Sequence, residues 1–508
     1  MPMINSLREC AAYETLKTLK DQQISLTPQG IQAQQICAAG LLFSYAGYLL
    51  SPDMLQTLQD LANEQHVITQ FKALLGGEHM NVSEDRAVRH HFTRTKNRGE
   101  YGQEQARFSR FATQCREGEL VSGNENPFKY IVQVGIGGSH LGPQALFEGL
   151  RTWAIAQNIP VIEPYFLANI DPDEWTKILE KIEIEKTLFI VVSKSGSTQE
   201  TEVNFKAIQT QLKAKGWSAD QCKQNCIAVT LKNSQLDNSD YFRERFYIDE
   251  EIGGRFSATS AVGGVVLSLS IGPDPFESLL QGAYEMDKTV IEPDCKNNMA
   301  LMAALLTIWE RNILEVPAKA IIPYSQALTR FPAHLQQLEC ESNGKRVSRD
   351  NQELDYHTAP MIFGEPGTQC QHSFFQKIHQ GTELIPIQFI GFLNPQAQAD
   401  PEKSRLFLAN LVAQMVALST GRFSENPNQN FPGKRPCSLI FAPQLTPETL
   451  GALLAFYENK VVFESFLWNI NAFDQEGVQL GKILAKDFID KSGEHSQLLS
   501  SYETLLSQ

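Results

Sequence analysis

The chain is poor in the features that mark nucleotide, metal and membrane proteins. Its glycine-rich turns do not follow GxGxxG, and no GxxxxGK[ST] loop occurs where a triphosphate would sit. No HExxH or EF-hand run is present. His90 and His91 are adjacent, which on a helix points them apart, so a metal-dependent enzyme is disfavoured. No apolar stretch reaches the ~20 residues of a spanning helix, and no basic segment followed by an apolar run opens the sequence. The nine cysteines are odd in number and scattered, with only Cys222 and Cys226 close together. That usage fits reduced thiols in a cytoplasmic protein, not a disulfide frame or a zinc site. Positive charge is also in deficit. Lys and Arg number 44 against 58 Asp and Glu, a net charge of −14, which argues against nucleic-acid and anionic-membrane partners. An anionic small molecule remains open, because a few local donors suffice to hold it.

What is present is a long, ordinary globular composition. The 508 residues are 42% hydrophobic and 20% charged, enough for several domains or two large ones. Residues 1–115 read as mostly helical, with amphipathic helices over Ile31–Leu50 and Met54–Leu75. From about 128 short β-branched runs alternate with helical stretches. Tyr130–Val134, Tyr165–Ala168, Thr187–Val192 and Cys226–Thr230 are expected strands; Thr259–Leu267 is either a fifth strand or a buried helix. Alternation of this kind predicts a doubly wound, mostly parallel sheet. A second set, Ala318–Pro323, Leu384–Phe392 and Ser438–Ala442, predicts a second α/β unit after the helical link Met299–Leu314. The expected division is a helical region over 1–115 packing on the larger unit, a smaller α/β unit over 116–290, and a larger one over 291–508 with a C-terminal helix and tail. In open α/β sheets ligands bind at the carboxyl ends of strands, so the motifs of interest should follow strands.

Two such turns do. Gly135-Ile136-Gly137-Gly138-Ser139 follows the first strand and opens a helix, where glycine lets backbone N–H groups approach an anion. Ser193-Lys194-Ser195-Gly196-Ser197-Thr198 follows the most apolar strand. A capping box from Ser197 to Glu200 would explain one hydroxyl there. Four hydroxyls, a lysine and a glycine at one junction point to a phosphate.

Further candidates are acid–base groups. Arg255, after Gly253-Gly254, is a fixed cation that can stabilise an oxyanion but cannot act as a base. Gln337 and Glu341 are four apart on one helix face, with Gly344 as the expected C-cap. A carboxylate at such a helix end can take a proton next to a carbonyl, although a lone glutamate there is usually just solvated. Gln371–Gln380 reads as a helix with His372 in its first turn, after the turn Gly364-Glu365-Pro366-Gly367. Gln475 and Lys482 are seven apart, on one face of a helix opening near Phe473. Gly477 and Gly481 cost that helix ~1 kcal/mol each, which suggests close packing or a ligand.

The order of these motifs is more specific than any one of them. VGIGGSHLGP, SKSGSTQET, GGRFS, QQLECESNGK, GEPGTQCQHSFFQKIHQGT and FDQEGVQLGK, preceded by NVSEDRAVRHHFTR, closely resemble the glucose-6-phosphate isomerase family from about residue 80 to 490. The resemblance implies two three-layer α/β/α sugar-isomerase (SIS) sandwiches and aldose–ketose isomerisation of glucose 6-phosphate and fructose 6-phosphate, in glycolysis and gluconeogenesis, with no metal or other cofactor needed. It implies Glu341 as the base that moves a proton between C2 and C1 through a cis-enediol, and Arg255 as the cation beside the enediolate. His372 and Lys482 match the ring-opening groups, with His372 supplied by the partner subunit of a homodimer. Ser193, Lys194, Ser195 and Thr198 match the phosphate loop; Gly138, Ser139, Gly254, Gln337 and Gln475 match the rest of the substrate pocket. The sequence departs from the family at Gln369-Cys370, where Asn-Gly is common, at Cys340 and at His140. Two other readings use the same motifs: a non-catalytic sugar-phosphate binder, and an isomerase that also accepts mannose 6-phosphate.

Overall fold

A computed structural model describes residues 4–507. In chain order its strands are β1 (Gln35–Ala38), β2 (Leu41–Ser44), β3 (Tyr130–Val134), β4 (Pro164–Leu167), β5 (Thr187–Val192), β6 (Cys226–Thr230), β7 (Glu244–Tyr247), β8 (Ala318–Pro323), β9 (Met361–Phe363), β10 (Ile387–Asn394) and β11 (Cys437–Gln444). They form two sheets with helices packed against them. The first has the order β4-β3-β5-β6-β7 and is parallel throughout. Every residue of β5 and β6 is buried, which is why these strands are continuous apolar runs. The second has the order β1-β2-β11-β10-β8-β9. Its strands β8 to β11 are parallel, while β2 runs antiparallel to both β1 and β11. Two α/β/α units with mostly parallel sheets result, as expected.

The N-terminal region departs from its expected helices. Ile31–Leu50 holds the hairpin β1–β2, turned at Ala39 and Gly40, both with positive φ. Its alternating buried residues Ile36, Leu41 and Phe43 seat it on the edge of the second sheet. Met54–Leu75 is split into helices Pro52–Glu64 and Val67–Leu75. The break lies at Gln65, whose buried carboxamide donates to the Leu467 carbonyl at 3.2 Å and the Asn5 carbonyl at 3.1 Å. Helix Glu100–Arg116 instead packs on helix Ala261–Ile271 of the first unit. Thr259–Leu267 is thus the buried helix of the two alternatives. The fifth strand is β7, whose short edge carries Glu244 and Arg245 and so lacks an apolar signature.

Helix Pro447–Leu467 is buried along nearly its whole length and packs against helices Pro273–Asp287, Met299–Ile308 and Phe331–Asn343. Its interior charges are paired. Glu458 pairs with Arg94, which also reaches Asp287 at 2.6 Å, and Lys460 pairs with Glu339 at 2.9 Å. Unpaired, such charges would be strongly destabilising. No described helix is long and apolar enough to cross a membrane.

Candidate active site

The first sheet has its topological switch between β3 and β5: β4 lies on one side of β3, and β5, β6 and β7 lie on the other. The two glycine- and hydroxyl-rich turns leave from those two strands, at the crevice where such sheets bind ligands. A cleft of about 540 Å³ opens there. Gly138, Ser139, Ser193, Lys194, Ser195, Thr198, Gly254, Arg255, Gln337, Glu341, Gln475 and Lys482 all line it. His372 does not. It ends a 3-10 turn, Gln369–His372, and is exposed on the surface of the second unit.

The phosphate-loop candidates are organised by their own hydrogen bonds. Ser193 Oγ lies 2.9 Å from Thr198 Oγ1 and accepts from the Gly196 N–H at 3.1 Å. Ser195 Oγ accepts from Ser197 N and Oγ at 3.3 and 3.1 Å. Gly196 sits at φ +73°, with the Gln235 N–H where a Cβ would point. Helix Gln199–Ala214 begins after Thr198, not Ser197, and no side chain caps it, so the Ser197–Glu200 capping box does not form. Lys194 Nζ donates to the carbonyls of Glu250 and Ile252, at 2.5 and 3.0 Å. Burial, and then the nearby Arg86, hold its ammonium below the ordinary lysine range. The two carbonyls tether its side chain beside the loop.

Across the cleft, helix Phe331–Asn343 follows β8 and delivers Gln337 and Glu341. Gln337 Nε2 donates to Glu341 Oε2 at 2.9 Å, realising the i, i+4 pairing. Gly344 closes this helix, donating its N–H to the Cys340 carbonyl at 3.0 Å, where a Cβ would not fit. Arg255 Nη1 lies 3.6 Å from Glu341 Oε2. The guanidinium is 1% exposed and otherwise fully committed. It donates to Ser342 Oγ at 2.6 Å, Gln475 Oε1 at 2.9 Å, and the carbonyls of Ala472 and Asp474. Burial lowers its affinity for the proton, and Glu341 and Asp474 oppose that; arginine keeps its charge. The arrangement sets a carboxylate and a fixed cation side by side, opposite a ring of hydroxyl and backbone donors.

Several local expectations change. Gln475 lies just before a 3-10 turn, Glu476–Val478, that leads into helix Gln479–Asp490, so Gln475 and Lys482 share the cleft without sharing a helix face. A Cβ on Gly477 or Gly481 would meet nothing within 4 Å, which removes close packing as their reason. The helix expected over Gln371–Gln380 starts only at Phe375. Cys370, where the family commonly has glycine, has no positive φ and is fully buried beside Tyr324 and Phe389. Lys345 and Asp474, which sequence reasoning left without roles, join Glu341 and Arg255; the pairing spans 129 positions and has no local signal.

The chain matches the family described as phosphoglucose isomerase over residues 44–506. It is 42% identical over 527 residues to the glucose-6-phosphate isomerase of Treponema pallidum (strain Nichols), covering 98% of each chain. Identity to the enzyme of that name from Treponema denticola is 45%, over 88% of this chain and 87% of that one. The crystal structure of a glucose-6-phosphate isomerase from Chlamydia trachomatis superposes with a TM-score of 0.93 at 37% identity, covering 99% of this chain and all of that one. On these matches and on its fold, the chain belongs to the phosphoglucose isomerase family.

Proposed function

We propose that this cleft interconverts glucose 6-phosphate and fructose 6-phosphate as part of glycolysis and gluconeogenesis, without a cofactor. The observation that carries the reading is the pairing of Glu341 with Arg255 at 3.6 Å across from the hydroxyl loop. The hard step is removal of a proton next to a carbonyl. In this reading Glu341 takes the C2 proton and returns it to C1, with Gln337 holding its carboxylate. Arg255 stabilises the enediolate oxygen that forms meanwhile. The Ser193–Thr198 loop holds the phosphate as a remote handle, which fixes C1 and C2 against the base. Gly138, Ser139, Gly254 and Gln475 shape the remaining wall.

Ring opening is assigned to His372 and Lys482. Lys482 lines the cleft. His372, exposed and remote from the cleft of its own chain, is assigned to the cleft of a partner in a homodimer. The C-terminal helices Gln479–Asp490 and Ser496–Leu506 support that assembly: neither has a buried residue, and Leu480, Ile483, Leu498 and Leu505 are exposed. In this reading the chain divides near 290 into a smaller and a larger isomerase unit, residues before 116 serve both, and the protein works in the cytoplasm.

The test is conversion of fructose 6-phosphate, read by an NADP-linked dehydrogenase with a chelator present. Wild type should turn over, and Glu341→Gln should lose about 10³-fold or more in kcat. Equal activity in both would remove Glu341 as the base. Binding of sugar phosphate without turnover in wild type would favour a sensor instead.

A further inference from the structure

Beside Glu341, one aspartate ties three distant stretches of chain together. Lys345 Nζ donates to Asp474 Oδ1 at 2.7 Å, to the Asp474 carbonyl at 2.8 Å and to the Glu341 carbonyl at 3.2 Å. The Asp474 carboxylate also accepts from Ser83 Oγ at 2.6 Å and Asn471 Nδ2 at 2.9 Å. Its carbonyl accepts from Arg255 Nη2 at 2.9 Å. The two side chains are only 15% and 13% exposed. A change at this hub reaches the end of the base's helix, the arginine turn and the turn bearing Gln475.

The hub also balances charge. Burial lowers the proton affinity of Lys345, and Asp474 opposes that. Burial raises the proton affinity of Asp474, but Lys345 and Ser83 more than offset it and the carboxyl stays below its ordinary range. Their contact at 2.7 Å favours the charged form of each. The cleft lined by Glu341 also holds Arg255 from its turn, Asp474 from the C-terminal turn, Lys482 from the terminal helix, Lys194 and Glu200 from the phosphate-loop junction, and Glu84, Arg86, Glu250 and Glu251 from two flanking segments, while Lys345 touches the end of the base's own helix. Arg346 lies on the outer side.

We propose that Lys345 and Asp474 act as a pair of positioning residues for the isomerisation, holding Glu341 against Arg255 and cancelling the lysine's charge so that Lys345 adds no net positive charge beside the base. The inference rests on the isomerase reading above. Its signature is electrostatic. Without the aspartate charge, Lys345 favours the ionised base and weakens it as a proton acceptor. Without the lysine charge, Asp474 does the reverse.

The experiment is the pH profile of kcat/KM for fructose 6-phosphate in wild type, Asp474→Asn, Lys345→Met and the double variant. The acid limb should move to lower pH in Asp474→Asn and to higher pH in Lys345→Met, by on the order of half a unit or more. It should return toward the wild-type position in the double variant. Asp474→Asn should also lose about tenfold in kcat, by analogy with other misplaced reacting groups. Losses of rate with no displacement of the limb, or displacements of the same sign, overturn the inference. Should Asp474→Asn fail to fold, the direction in Lys345→Met decides alone. An inactive wild type would sink the isomerase reading instead, so the two failures are distinct.

Discussion

At the scale of single residues, two glycines facing the same cleft are there for opposite reasons. A Cβ on Gly138 would sit 2.1 Å from the Gly254 carbonyl oxygen, so the turns carrying Gly138 and Arg255 pack only because that side chain is absent. A Cβ on Gly254 would meet nothing within 4 Å and would point into open space. Gly138→Ala should therefore destabilise the protein, by about 1–3 kcal/mol, seen as a lower Tm. Gly254→Ala should leave Tm unchanged and raise KM for fructose 6-phosphate severalfold, because only a substrate would meet the added methyl. A lower Tm for Gly254→Ala with an unaltered KM would defeat that account. Both glycines stand in motifs that mark the site, yet a string of letters does not distinguish a glycine that makes room for backbone from one that makes room for ligand.

At the scale of elements, the helix bearing the base carries an unusual burden. His334 lies one turn before Gln337, is 1% exposed, and neither ring nitrogen has a hydrogen-bond partner. It faces Gly142 of the neighbouring helix, which has no Cβ to crowd it. Burial pushes its pKa down from 6.5 to about 4. The folded-state value is thus below the unfolded one. The stability this group permits is complete above about pH 6.5 and is lost as pH falls toward 4, because the unfolded chain binds the proton first. A shift of that size corresponds to on the order of 3 kcal/mol. His91, buried and pushed down to about 4, acts in the same direction. His334→Leu should accordingly narrow the difference in Tm between about pH 7.5 and about pH 5 relative to wild type, as measured by thermal unfolding. An unchanged difference would mean that the imidazole finds a proton partner.

Elements also mark where sequence reading succeeds and stops. Strands β3, β5, β6 and β8 match the expected bounds because parallel strands covered on both faces are dominated by apolar residues, with Gln133 and Lys319 the buried polar exceptions in β3 and β8. The hairpin β1–β2 was hidden because its apolar spacing also fits a helix, and its role depends on an edge supplied by β11, roughly 400 residues later in the chain. Helix Pro447–Leu467 buries Glu458, Lys460 and Glu464. Its charges look like a solvated face until Arg94 and Glu339 are seen to meet them. The two anion-binding turns of the cleft were legible because they sit directly after strands, and Glu341 because it lies near a helix end. The Lys345–Asp474 hub was not, since only the fold brings those residues together.

At the scale of the whole molecule, the proposal makes each cleft incomplete without a second chain. Glu341 lines the cleft of its own chain, whereas His372 is exposed elsewhere on the second unit. If His372 crosses a two-fold interface, two dead variants should repair one another. An Glu341→Gln chain still donates a good histidine, and a His372→Ala chain still holds a good base. In a mixed dimer, one cleft combines the intact base with the intact histidine and the other has neither. Random pairing makes half the dimers mixed, each with one complete site of two. Co-expression of equal amounts should thus restore roughly a quarter of wild-type activity, given an interface in which both chains use the same surface. Two affinity tags, purified in sequence, isolate the mixed dimer, where the expected recovery rises to about half. Purified mixed dimers with no more activity than either parent would place the action of His372 within its own chain or remove it from the chemistry.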